Sequence, residues 1–156
     1  MRISIEGFLW VCLPIICNAL FTMVIFGVPD FLRAHVWASY FAAVCLITAS
    51  AAGLIGLVKH QIEARHALIS LGLMAAILIT AFAAIHNAHD YASGAANNFG
   101  DSLYFSIVTW TTLGYGDFQP DPQLRLLAAV QAVLGYIYLG AGVGLIGALI
   151  IQSESQ

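Results

Sequence analysis

The sequence predicts an all-α membrane protein, with four transmembrane helices in each chain and one short helix that enters the membrane without crossing it. Three observations carry that expectation. Of 156 residues, 61% are hydrophobic and 8% are charged, against roughly 45–50% and 25% in a soluble domain. Four apolar stretches are long enough, at about 1.5 Å per residue, to cross roughly 30 Å of hydrocarbon. A further apolar run between the third and fourth is only about ten residues long, too short to span.

The first span runs from about Gly7 to Val28 and ends at Pro29-Asp30, a helix stop. Its apolar stretch of about 21 residues exceeds the 7–15 of a signal-peptide core, so it reads as a retained helix despite the basic Arg2 before it. The second covers about His35 to Val58 and ends at Lys59-His60-Gln61. The third covers about His66 to Ile85. The fourth, from about Gln123 to Ile151, is near 28 residues and has to tilt or project into water. Trp10 and Trp37 have the character of interfacial anchors.

The stretch from His86 to Pro122 differs in character. It begins polar (His86-Asn87-Ala88-His89-Asp90) and continues small and flexible through Ser93-Gly94-Ala95-Ala96. Asn98 or Asp101 then offers an N-cap for the short apolar run from Ser102 to Trp110. Irregular backbone at membrane depth is tolerated only when it is buried in protein or lines water. This segment therefore has to sit against partners.

Charge narrows the partners. A net charge of −3 with no basic run gives no pointer to nucleic acid or an acidic ligand, and no nucleic-acid partner is expected. Arg2, Lys59 and Arg65 fall on one side of the membrane and Arg33 and Arg125 on the other, which favours cytoplasmic termini. Cys12, Cys17 and Cys45 are odd in number and lie in apolar stretches, where thiols act as small apolar side chains.

The chemistry concentrates after the short run, in Thr111-Thr112-Leu113-Gly114-Tyr115-Gly116-Asp117. Pointing consecutive carbonyls toward one axis requires alternating left- and right-handed backbone, which explains glycine at 114 and 116. Rings of carbonyls from four such strands can replace the water shell of a dehydrated potassium ion. The stretch from Asp101 to Asp117 (DSLYFSIVTWTTLGYGD) resembles the pore helix and selectivity filter of the potassium channel family, most closely its prokaryotic members with a two-helix pore domain. The resemblance runs from about His66 to Ile151.

It implies a tetrameric pore, with potassium held at Thr112, Leu113, Gly114 and Tyr115 and the filter closed by Gly116. Leu113 stands where valine is commonest, a change that leaves the carbonyl in place. Tyr104, Val108, Thr111 and Asp117 are the implied supports. The Tyr104 hydroxyl is placed to donate to the Asp117 carboxylate. Val108 takes a position where some relatives carry a carboxylate, so a proton-sensitive group is missing there. The resemblance also places Pro120 after the filter and Arg125 at the start of the inner helix. Gly135 and Gly140 are then candidate gating hinges, or small surfaces for close packing together with Gly144.

The same resemblance divides the chain. Residues 1–65 form two N-terminal helices without voltage-sensor arginines. Residues 66–156 form a pore domain with outer helix 66–86, pore helix 99–110, filter 112–116 and inner helix 123–151. Gln131, an amide within the last span, either lines the cavity or bonds a neighbouring helix, the second being favoured. His86 and His89, with Asp90, have a spacing that suits zinc or proton sensing, yet they read better as a helix end in water. His35, His60 and His66 sit at span ends. With histidines only there, an enzyme or metal transporter is disfavoured, and the expectation is no cofactor, with K+ as the transported ion. The expected assembly is a potassium-selective homotetramer in a lipid bilayer of the cell membrane, gated by something other than voltage, such as a lipid or an unidentified partner. A modulatory subunit of a heteromeric channel, or a weakly selective cation channel, is the alternative.

Overall fold

The computed structural model describes residues 5–60, 62–93 and 98–154. The basic Arg2, Gln61 and the small segment Gly94-Ala95-Ala96 lie outside the described residues. In chain order the elements are α1 (Ile5–Gly27), a short α2 (Pro29–Ala34), α3 (Val36–Lys59), α4 (Ala64–Asn87), β1 (Tyr91–Ser93), α5 (Phe99–Trp110), β2 (Gln119–Pro120), and α6 (Arg125–Glu154), which a 3-10 turn at Pro122–Leu124 introduces. Among them α1, α3, α4 and α6 are long and apolar enough to cross a membrane, close to the four expected spans. At 30 residues α6 is roughly 45 Å long, beyond the hydrocarbon thickness as expected.

Two local features depart from the sequence reading. Pro29-Asp30 stops α1 but also starts α2, because proline lacks only an N–H that the first turn leaves unpaired, and Asp30 favours the positive helix start. Arg33 therefore sits in the last turn of α2. The antiparallel pairing of β1 with β2, Tyr91 opposite Pro120 and Ser93 opposite Gln119, carries no pattern long enough to read from so short a stretch.

Helix α4 stands at the centre, against α1, α3, α5 and α6. Its buried residues Leu71, Met74, Leu78, Phe82 and Ile85 recur at intervals of three and four, one stripe of a helix. Lipid is as apolar as leucine, so helix association in the bilayer rests on close packing and on interhelical hydrogen bonds of about 0.6 kcal/mol each. Helices α1 and α3 use both. A Cβ added to Gly56 would lie 3.0 Å from the Trp10 carbonyl oxygen, and the Asn18 amide donates to Ser50 Oγ at 3.0 Å. At one end of this pair Lys59 lies 5.6 Å from the Trp10 ring centroid and His60 stacks on it at 6.0 Å, which suits an interfacial tryptophan.

At the other end three long-range bonds clasp the N-terminal helices to the rest. Arg33 Nε donates to the Ala88 carbonyl at 2.9 Å. Ser39 Oγ and His89 Nε2 lie 2.8 Å apart. The Tyr40 hydroxyl donates to the Gln123 carbonyl at 2.6 Å. The two stretches held this way, 88–89 and 123, flank the segment that carries α5 and the glycine-rich strand.

Candidate functional site

The short helix α5 starts at Asn98, whose extended backbone (φ −125°, ψ 156°) and side-chain oxygen, accepting from the Asp101 amide at 2.9 Å, make it the N-cap. The Asn98 amide also donates to the Asp101 carboxylate. Of the two expected caps, Asn98 is the one used. Twelve residues give roughly 18 Å, too short to cross the bilayer. The last turn hands over to the strand through three bonds: Thr111 N to Ile107 O at 2.9 Å, Thr112 N to Thr109 O at 3.1 Å, and Leu113 N to Val108 O at 3.0 Å. Val108 is buried in the bundle, and its carbonyl accepts from the Leu113 amide.

Beyond this turn φ alternates in sign. Thr112 has φ +58°, Gly114 +54° and Gly116 +80°, with Leu113 and Tyr115 between them on the negative side. Glycine takes the left-handed region freely, but Thr112 does so at a cost of about 1–2 kcal/mol. The Thr112 N–H bond to Thr109 and the donation of its hydroxyl to the Thr111 carbonyl at 2.6 Å help to hold it there. A left-handed threonine has no signature in sequence, so reasoning from glycines alone missed it. Residues Thr111 to Asp117 are all exposed on the single chain, Leu113 by 57% and Tyr115 by 67%. Below the strand a cavity of about 320 Å³ is lined by Leu71, Trp110, Thr111, Thr112, Gly135 and Leu139, among others. Its lining is mainly apolar, with Leu68 and Ala75 of α4 and Tyr138 of α6 adding to it.

Above the strand, the Tyr104 hydroxyl donates to Asp117 Oδ2 at 2.8 Å, and the Phe118 amide to Oδ1 at 3.1 Å. The expected brace is therefore formed. Its hydrogen bond to the carboxylate raises the Tyr104 phenol above its usual range. Tyr104 and Tyr91 each meet the Phe118 ring edge-on, at 5.7 and 5.6 Å. Tyr91 donates to Ser102 Oγ at 3.0 Å, and burial pushes its phenol up to about 12. Sequence reasoning passed over Tyr91, Phe118 and Ser102. Ser102 and Ser106, four residues apart on one face of an apolar helix, were the available signal.

The histidine expectation is corrected. His86 and His89 do not end the helix in water: they are 2% and 6% exposed. His86 Nε2 lies 3.3 Å from Gln131 Oε1, its ring edge-on to Phe105 at 4.8 Å. His89 bonds Ser39, and burial lowers its pKa, with nearby Arg33 acting in the same direction and Asp121 and Asp90 opposing. No group of three metal-ligating side chains occurs among the described residues. Gln131 is fully buried and bonds neighbouring helices, the favoured reading.

The two hinge candidates separate. A Cβ added to Gly135 would overlap the Trp110 carbonyl oxygen and lie 2.9 Å from its carbon, whereas one on Gly140 or Gly144 meets nothing within 4 Å.

A family model described as ion channel matches residues 68–152, more than half of the chain. Potassium voltage-gated channel subfamily KQT member 4 of Homo sapiens is 36% identical over 84 residues, 51% of this chain and 12% of that protein. The hyperpolarization-activated voltage-gated potassium channel of Methanocaldococcus jannaschii is 32% identical over 78 residues, 50% of this chain and 37% of its own length. Two pore potassium channel c of Oryza sativa is 33% identical over 72 residues, 46% of this chain and 16% of that protein. The matched part thus spans well under half of each relative. No solved structure matches the chain. With four helices long and apolar enough to cross a membrane and more than half of its length matched, this chain belongs to the ion channel family, and over about half its length it is similar to potassium channels.

Proposed function

We propose that the chain is one subunit of a potassium-selective channel in which four copies surround a single pore and K+ passes passively down its gradient. The alternation of left-handed backbone at Thr112, Gly114 and Gly116 carries this reading. It turns successive carbonyls to one side of the strand. The Thr112, Leu113, Gly114 and Tyr115 carbonyls, ringed by four copies, supply the oxygens a dehydrated K+ needs, and the Thr112 hydroxyl adds a ring at the inner end. Gly116 and Asp117 close the outer end, with Tyr104 holding the carboxylate. No catalytic residue and no cofactor enters this mechanism, because the ion itself is the cargo.

Exposure supports the assembly. A strand with Leu113, Tyr115 and its backbone groups bare on one chain is untenable at membrane depth until neighbours and pore water cover it. The proposed localisation is the cell membrane with cytoplasmic termini, which points the outer end of the filter away from the cytoplasm. Two of the relatives are named as voltage-gated. In this chain the stretch from Gly7 to Val58 holds Arg33 as its one arginine or lysine, outside the spans, so the proposed gating does not use an arginine or lysine sensor in these helices. Potassium uptake by liposomes that contain only this protein tests the reading. Uptake against a sodium-loaded control supports it, and silent liposomes with correctly assembled protein favour a modulatory subunit instead.

A further inference from the structure

Behind the pore-facing strand lies a ring of buried polar groups that the proposed conduction path does not use. Gln131 on α6 is fully buried, as is Ser106 on α5, and His86 on α4 nearly so. The Gln131 amide nitrogen donates to the Ser106 carbonyl at 3.0 Å and to Ser106 Oγ at 2.7 Å. A carbonyl can only accept, which sets the amide orientation and leaves Gln131 Oε1 to accept from His86 Nε2 at 3.3 Å. Ser106 Oγ, accepting from Gln131, donates to the Ile79 carbonyl on α4 at 2.7 Å. The donors thus run α4 to α6 to α5 and back to α4.

Resting on the channel reading, we propose that Gln131 is a positioning residue for the selectivity filter. Leu113 N is tied to Val108 O, two residues along α5 from Ser106. A shift of α5 therefore moves the strand with it. Near its start α5 is held through Ser102, which bonds Tyr91 and Asn87, and the bonds at Ser106 fix its later half, the half that hands over to the strand, against α4 and α6. One turn further along α6, Gly135 presses on the Trp110 carbonyl, so the same stretch of α6 grips α5 at two heights. An amide at membrane depth is costly unless fully bonded. Here its bonds go to Ser106 on α5 and to His86 on α4, and none to the cavity.

The full-length protein, reconstituted in lipid, tests this by reversal potentials under opposed K+ and Na+. Q131M keeps the volume and removes the amide. At unchanged tetramer content and melting temperature, loss of all three Gln131 bonds lowers the K+ over Na+ permeability ratio by about tenfold, the equivalent of about 1.4 kcal/mol. S106A, which deletes the hydroxyl alone, lowers it less. A wild-type ratio in Q131M overturns the proposal and leaves the channel reading standing. Where Q131M does not assemble, S106A decides, and a wild-type ratio there overturns the proposal. Wild-type protein that conducts Na+ as well as K+ overturns the channel reading, and the proposal with it.

Discussion

Gly135 lies against the carbonyl of Trp110 so closely that no side chain fits between them. The contact joins the inner helix to the last turn of α5, directly below the strand, and gives the first of the two candidate hinge glycines a packing role. Gly140, with open space around its Cβ position on the single chain, carries no such contact and stays the hinge candidate.

Substitution separates the two roles. Gly135→Ala forces α6 off Trp110, an overpacking cost of about 1–3 kcal/mol, and lowers both melting temperature and conduction. Gly140→Ala fills empty space and raises helix propensity by about 1 kcal/mol. It melts at or above the wild-type temperature and lowers open probability if α6 bends there. Thermal melts beside single-channel records check both. Equal melting temperatures for wild type and Gly135→Ala would remove the packing role.

Tyr104→Phe keeps the ring against Phe118 and deletes the donor to Asp117. The outer end of the strand loses its brace while folding is little changed, because Tyr104 is on the surface of the bundle. Currents through Tyr104→Phe are expected to decay several-fold faster during sustained opening. Since the hydrogen bond raises the phenol's pKa, the brace is present at neutral pH and is lost only as pH rises through that elevated value. Decay rates at neutral and alkaline pH provide the comparison.

His89 predicts an acid-sensitive clasp. Its pKa is lowered, chiefly by burial, with Arg33 assisting and Asp121 and Asp90 opposing. The folded state therefore favours the neutral ring, so this contribution to stability is whole above the ordinary value of about 6.5 and declines as pH falls below it toward the lowered value. Melting temperature should drop as pH falls below about 6.5 in wild type, and less steeply in His89→Gln. Parallel slopes for the two proteins would remove His89 from the account.

Much of this was legible in the sequence because lipid leaves few options. Four apolar stretches and a fifth too short to span define the long helices and the short one with little freedom. The fate of His86 and His89 was not legible. A polar run at a helix end normally meets water, and here it is covered only because Ser39, Arg33 and Gln131 arrive from elements 45 to 55 residues away. The hinge question was open for the same reason, since the carbonyl that occupies the space at Gly135 belongs to Trp110.

Voltage should act weakly. Moving one charge through 100 mV supplies about 2.3 kcal/mol, so steep gating needs several moving charges in each subunit. The first two spans hold no acidic or basic residue between Phe8 and Val28 or between His35 and Val58. Open probability, as distinct from current, should vary little between about −100 and +100 mV. A fit that requires several gating charges per channel would contradict this.

The central claim is that Thr112 to Gly116 forms a potassium-selective path. The most direct test is the reversal potential of the reconstituted wild-type protein with K+ on one side and Na+ on the other, repeated with Gly114→Ala, which forces a methyl group into a left-handed position. The account predicts a wild-type reversal potential far from zero and close to the K+ limit, with conduction or selectivity abolished in Gly114→Ala. A wild-type reversal potential near zero, with Na+ carrying current as readily as K+, would contradict it.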